Sequence, residues 1–285
     1  LVSAVPEGPR IVSLLPSATE IVCGLGLRES LVGVSHECDF PPDVASLPRV
    51  TRARIDVHRA SREIDDDIRS LVRNGLSAYD IETDLLAGCR AEIVSLRPSR
   101  LADVWDDIRR VAAAAGIASR GHDLANDLGE RMVALGRRPR DLGRPRIACI
   151  EWLDPLMAAG NWVPELVEIA GGRSDLASAG THSPWLDFAR IEAFDPDVIC
   201  AMPCGFDLPR TAAELSSLLR EARWQRLRAV REERCFAVDG NAYFNRPGPR
   251  LAESAEILAG LLHPEACADL TPRHAAARVT APRTE

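Results

Sequence analysis

Short apolar runs alternate with amphipathic stretches along the chain. Arg10-Ile-Val-Ser-Leu-Leu15 reads as a buried strand. Pro16 to Leu25 follows as a helix, opened by Pro16 or Ser17 and closed by Gly24 and Gly26. Leu31-Val-Gly-Val-Ser35 predicts a second strand, which opens into the loop His36-Glu-Cys-Asp-Phe-Pro-Pro42. Between Ser61 and Asn74, Ile64, Ile68, Leu71 and Val72 recur at helical spacing, and Gly75 supplies a stop. Ile93-Val-Ser-Leu96 predicts a third strand.

A long apolar stripe then runs from Leu101 to Leu135 through Val104, Trp105, Ile108, Val111, Leu124, Leu128 and Met132. It predicts one long helix, with Gly116 and Gly121 as the points where it could break. After the Pro/Gly/Arg connection of residues 137–145, a second strand–helix series begins. Strands are predicted at Arg146–Ile150, Asp197–Met202 and Cys235–Asp239. Helices are predicted at Trp162–Ala170, Leu208–Leu219 and Pro249–Leu262. The segment after His263 is rich in Ala, Arg and Pro and reads as loose.

This alternation predicts an α/β fold with parallel sheets covered on both faces. The organisation expected is an N-terminal lobe over residues 10–100, a connecting helix over 101–138, a C-terminal lobe over 146–264 and a tail over 265–285. Ligands of such folds sit outside the carboxyl ends of the strands. The loops there hold much of the polar and aromatic chemistry. They contain Ser35-His-Glu-Cys-Asp39, Glu151-Trp-Leu-Asp-Pro155, Asn161-Trp162, Thr181-His-Ser-Pro-Trp185, Pro203-Cys-Gly-Phe206 and Gly240-Asn-Ala-Tyr-Phe-Asn-Arg246. Trp152, Trp162, Trp185, Phe206, Tyr243 and Phe244 offer flat apolar faces, and Glu151, Asn161 and Arg246 offer polar contacts, which suits a large, flat, partly polar ligand. The alternative is that these rings pack the contact between lobes. His36, Cys38, His182 and Cys204 are donors suited to zinc or iron, but their spacing is not that of a zinc finger. The alternative for them is loop hydrogen bonding and packing. A nucleophile–base pair from Ser35 and His36, or from Cys204 and His182, lacks any Gly-x-Ser-x-Gly elbow, so catalytic residues are not assigned.

Composition narrows the classes. The net charge is −7, and all 35 basic residues are arginine. That excludes a Schiff-base or P-loop lysine, and the acidic balance argues against nucleic acid. Cys23, Cys38, Cys89, Cys149, Cys200, Cys204, Cys235 and Cys267 are scattered, not arranged as a disulfide framework. Several lie in apolar runs and read as small buried hydrophobes. With no signal pattern and no membrane-length apolar stretch in the chain as given, the expected location is cytoplasmic. The alternative is periplasmic or extracellular, should an upstream signal have been removed.

The opening Arg10-Ile-Val-Ser-Leu-Leu-Pro-Ser-Ala-Thr-Glu-Ile-Val22 resembles that of the helical-backbone (class III) periplasmic binding proteins of ABC transporters. Ser35–Asp39, Glu151–Pro155, Met202-Pro-Cys-Gly-Phe-Asp207 and Asp239-Gly-Asn-Ala-Tyr-Phe-Asn-Arg-Pro-Gly-Pro249 are similar to a cobalamin-binding subgroup related to the vitamin B12 importer's binding component. The resemblance covers about Arg10 to Pro264. It implies two Rossmann-like lobes joined by one long backbone helix, and a cobalamin or other corrinoid held in the interlobe cleft. It also implies an ABC transporter permease as partner, and no enzyme activity. The implied ligand contacts are His36, Glu37, Cys38, Glu151, Trp152, Asn161, Trp162, His182, Trp185, Phe206, Tyr243, Phe244 and Arg246. The rival reading is a cytoplasmic metal-binding protein or metalloenzyme using His36, Cys38, His182 and Cys204. One departure stands out. The subgroup carries a further first-lobe strand and a Cys-x-x-Cys loop, whereas here the helix ending near Leu86 runs through Gly88-Cys89-Arg90 directly to Ile93.

Overall fold

The computed structural model describes residues 8–86, 91–139 and 141–281. Two compact units emerge: residues 1–97 with 103–127, and residues 98–102 with 128–285.

In the first unit, β1 (Ile11–Ser13) pairs in parallel with β2 (Leu31–Val34), and α1 (Pro16–Gly24) connects them. Pro16 sits in the first turn of α1, where its missing N–H costs no hydrogen bond. Val22, Leu31, Val34, Cys38 and Val44 form a small core, against which Val111 packs. A separate antiparallel pair, β3 (Thr51–Ala53) with β4 (Tyr79–Ile81), flanks α2 (Ser61–Arg73) in sequence, and α3 (Thr83–Leu86) follows. Residues 91–98 form no strand, which corrects the one expected at Ile93–Leu96. That run finds no ladder partner, and Ile93 is 89% exposed. The passage through Gly88-Cys89-Arg90 lies outside the described residues.

The expected long helical stretch forms two helices, α4 (Leu101–Ala114) and α5 (Ala118–Leu135). Gly116 separates them at φ +75°, and Ile117 N–H closes the end of α4 on Ala112 O. Gly121 does not break α5. A Cβ there would lie 2.5 Å from that of Ala112, so its missing side chain allows α5 to approach α4.

The second unit is built on one five-stranded sheet. Its strands are β5 (Ile147–Leu153), β6 (Leu156–Ala158), β7 (Val198–Ala201), β8 (Cys235–Val238) and β9 (Ala276–Arg278), in the order β6-β5-β7-β8-β9. The central three run parallel, and both edge strands are antiparallel. One face packs Ala148, Ile150, Ile199, Ala201 and Ala237 onto α7 (Phe188–Phe194), α8 (Leu208–Leu218), α9 (Ala222–Gln225) and α10 (Arg228–Arg231), through Ile191, Leu215, Trp224 and Val230. The alternate residues Ile147, Cys149, Val198, Cys200 and Val238 are buried too, so the central strands are continuous apolar runs. Elsewhere α6 (Val163–Ile169) packs on α11 (Leu251–Leu262). The stop after α6 is made by Gly171 at φ +80° and by Gly172 N–H on Val167 O.

The tail expected to be loose is instead structured as far as residue 281. After α12 (Pro264–Cys267), β9 adds to β8, and Cys267, Ala275 and Val279 are buried. The gain is a ladder for the open edge of β8, which the bare Ala-Ala-Arg sequence does not signal.

Candidate functional site

The carboxyl ends of β5, β7 and β8 deliver three loops to one end of the sheet in the second unit, and hydrogen bonds knit them together. Asn241 N–H donates to Phe206 O at 3.1 Å, and Asn245 Nδ2 donates to Met202 O at 3.0 Å. Gly240 makes this approach possible, because a Cβ there would lie 2.3 Å from Pro203 O and 2.6 Å from Met202 C. Asp239 Oδ1 caps the Gly240–Phe244 turn by accepting from Ala242 N–H at 2.7 Å. Burial pushes the Asp239 carboxyl upward, with Arg246 and Arg250 opposing the rise.

The segment after β6 joins the same group. Asn161 adopts φ +52°, its N–H on Thr181 O at 2.7 Å and its carbonyl accepting from Gly180 N–H at 2.9 Å. Ser183 is buried between two partners. Its hydroxyl accepts from Gly160 N–H at 3.0 Å and donates to Glu151 Oε2 at 2.7 Å. Burial raises the Glu151 carboxyl above its ordinary range. The Ser183 hydroxyl, nearby His182 and the Gly160 amide hold it down. His182 is exposed, its Nδ1 3.0 Å from Ser183 O.

The second unit therefore gathers Glu151, Trp152, Asn161, Trp162, His182, Trp185, Phe206, Tyr243, Phe244 and Arg246, but their roles divide by exposure. Trp185 is 47% exposed and Trp152 is half-buried, tilted against Phe206 at 5.2 Å between centroids. Trp162, Phe206, Tyr243 and Phe244 are buried. Trp162 Nε1 donates to Phe244 O at 2.9 Å, Tyr243 Oη lies 3.1 Å from His274 Nε2, and the Arg210 guanidinium stacks 3.5 Å from the Phe206 ring. Arg246 is buried as well. Four of these rings and Arg246 are thus buried, while Trp152 and Trp185 keep part of their surface exposed.

His36, Glu37 and Cys38 belong to the first unit, on the loop after β2. Arg49 Nη1 clamps that loop by donating to Ser35 O at 2.8 Å and Cys38 O at 2.7 Å. Cys38 is buried, its Sγ 3.0 Å from Thr19 Oγ1. Glu37 is exposed. His36 is half-buried against Tyr79, with ring centroids 6.1 Å apart. Sequence reasoning did not single out Ser183, Asp239, Thr51 or Tyr79. The only signal for Tyr79 was its rarity, as one of two tyrosines in the chain.

Among the described residues, no three His, Cys, Asp or Glu side chains form a group able to hold a metal ion. In the first unit Cys38 Sγ is engaged by Thr19, and in the second Cys204 is exposed on the loop after β7. Cys149, Cys200 and Cys235 behave as buried apolar groups, burial pushing the Cys149 and Cys235 thiols up to about 12. Among the described residues no helix is long and apolar enough to cross a membrane.

Comparison with known proteins places these features in context. Residues 80–242 match a family described as periplasmic binding protein. The chain is 24% identical over 245 residues to the vitamin B12-binding protein of Vibrio parahaemolyticus, covering 85% of this chain and 84% of that one. It is 21% identical over 268 residues to an ABC transporter substrate-binding lipoprotein of Bacillus subtilis, covering 91% and 81%. The crystal structure of the periplasmic vitamin B12 binding protein of Vibrio cholerae superposes with a TM-score of 0.64 at 23% identity, covering 90% and 96%. Other solved structures of this fold are named as periplasmic heme-binding proteins. The cytoplasmic location expected from the chain as given is overturned by these relatives, which are periplasmic proteins or lipoproteins and point outside the cytoplasm.

Proposed function

Because the chain belongs to the periplasmic binding protein family, we propose that it binds a corrinoid and presents it to the permease of an ABC importer. It is a substrate-binding protein and not an enzyme. The observation that carries the corrinoid assignment is the similarity, over 85% of this chain, to a vitamin B12-binding protein. The loop geometry of the second unit supports it. Trp152 and Trp185 are available to lie against a flat macrocycle, and Glu151 and Asn161 to bond its amide side chains. Phe206, against Trp152, and Trp162, through Phe244 O, brace these loops.

The test is a titration with cyanocobalamin followed by tryptophan fluorescence and calorimetry, with hemin as competitor. Saturable quenching at micromolar ligand is expected, with Trp152→Ala weakening binding about tenfold, or about 1.4 kcal/mol, while the thermal melt stays close to wild type. No saturable signal with any corrinoid would refute the proposal. Preferential saturation by hemin would replace the corrinoid with a porphyrin.

A further inference from the structure

The short stretch Pro98–Ala102 belongs to the second unit, although the residues before and after it belong to the first. Two contacts hold it there. The Leu101 N–H, at the start of α4, has no partner within its helix and donates to Glu165 Oε2 of α6 at 2.9 Å. Arg100 reaches the loop of residues 178–185, where its Nη2 donates to Ala179 O at 3.2 Å. Its guanidinium also lies directly on Gly180. A Cβ at Gly180 would fall 2.3 Å from Arg100 Nε and 3.0 Å from its Cζ. Gly180 has φ +76°, so the space and the backbone both demand glycine here.

That loop carries side chains on which the proposed binding rests. Ser183 holds Glu151, and Trp185 stands exposed. On one side the loop is tied to residues 160 and 161. Gly180 N–H donates to Asn161 O, Asn161 N–H to Thr181 O, and Gly160 N–H to Ser183 Oγ. Arg100 adds a tie from 79 positions away in sequence. Packing does not account for it, because Arg100 is exposed, and truncating an exposed side chain costs little stability. A planar guanidinium laid on a glycine is instead a positional restraint, which fixes where the 179–180 peptide lies.

We propose that Arg100 is a positioning residue for ligand binding: it holds the loop of residues 178–185 in its binding geometry and so couples occupancy of the site to the order of residues 98–102. Such coupling is reciprocal. A ligand seated against Trp185 and Glu151 restrains the loop, and the loop restrains Arg100. The neighbouring Leu101 N–H then spends less time away from Glu165. In return, loosening Arg100 weakens the ligand. The proposal rests on the corrinoid reading given above, and the experiment separates the two.

Amide hydrogen exchange is followed by mass spectrometry on peptides covering residues 98–104 and 178–185, for the protein alone and with saturating cyanocobalamin. Affinity is measured by calorimetry. In the protein alone, Arg100→Ala should speed exchange at Gly180 and Thr181 by about fivefold to tenfold, the scale of one hydrogen bond. Its thermal midpoint should stay within about 2 °C of wild type. Cyanocobalamin should bind it more weakly by a similar factor. In the wild type, cyanocobalamin should slow exchange at residues 99–102. In Arg100→Ala at saturating cyanocobalamin, that slowing should vanish while the slowing at residues 178–185 remains. Gly180→Ala, which displaces Arg100 without removing it, should reproduce both losses. Unchanged exchange in the loop of Arg100→Ala, or slowing at residues 99–102 that persists in it, overturns the positioning role and leaves the corrinoid reading standing. No calorimetric binding of any corrinoid to the wild type overturns both.

Discussion

Replacing Ser183 by alanine tests how the buried carboxyl of Glu151 is held. The substitution removes the hydroxyl that accepts from Gly160 N–H and donates to Glu151 Oε2. A neutral hydrogen bond contributes about 1 kcal/mol and one to a charged group about 1.5–3 kcal/mol, so the loss at about pH 8 is roughly 2–4 kcal/mol. The pH dependence follows from the direction in which Glu151 is shifted. Its folded-state pKa lies above the ordinary carboxylate value because of burial. The native state therefore binds more protons than the unfolded state between the two pKa values. Stability falls as pH rises through that window and levels off above the folded pKa. Removing Ser183 deletes an interaction that lowers the folded pKa, so the upper edge of the window moves up. The cost of Ser183→Ala must then grow with pH, from about 1–2 kcal/mol near pH 4, where the carboxyl is neutral, to its full value near pH 8. Urea unfolding at several pH values measures it, and in a Glu151→Gln background the cost should be independent of pH. A cost that is equal at both ends, or larger in acid, would refute the account.

Two further outcomes follow from backbone packing. Gly240→Ala places a methyl group against Pro203 O and Met202 C, neither of which is a flexible side chain, and should destabilise the second unit by about 3 kcal/mol or more, seen as a large fall in thermal midpoint; a midpoint within a degree or two of wild type would show that the loops part freely. Truncation after His274 removes β9 with buried Ala275 and Val279, and should lower the midpoint by about 5–15 °C, whereas an unchanged melt would return the segment to the status of a loose tail.

The parts of this fold that were legible in the sequence are those with both faces buried. Ile147–Ile150, Val198–Ala201 and Cys235–Val238 are unbroken apolar runs whose residues are buried on both faces of the central sheet. Ala276–Arg278 and Leu156–Ala158 were not legible. An edge strand of three residues needs a neighbour's open ladder more than a pattern of its own. Ile93–Leu96 has the composition of a strand but lacks that ladder. In the candidate site, the rule that ligands lie at the carboxyl ends of strands located the loops. It could not say which rings a loop would cover. Trp152 lies in β5 and Trp162 follows β6, yet the Trp152 indole N–H meets only the neighbouring Asp154 carbonyl, whereas that of Trp162 meets Phe244 O, 82 positions away. Thr51 carries no sign that it meets His36, because the two come together only when the residues just before β3 bond the end of β2, Val50 N–H to Val34 O.

The two antiparallel margins of the five-stranded sheet also govern how one molecule meets another. A parallel core ending at β5 or β8 would expose a four- to seven-residue row of unpaired amides and carbonyls, a template for a neighbouring chain. Instead each flank ends in a strand of three residues, too short to seed much pairing. The last of these follows α12 in sequence, so β8 stays bare until residues 276–278 are in place. Until β9 docks, the edge of β8 is therefore open to pairing with another chain, and β9 acts as its guard against that fate.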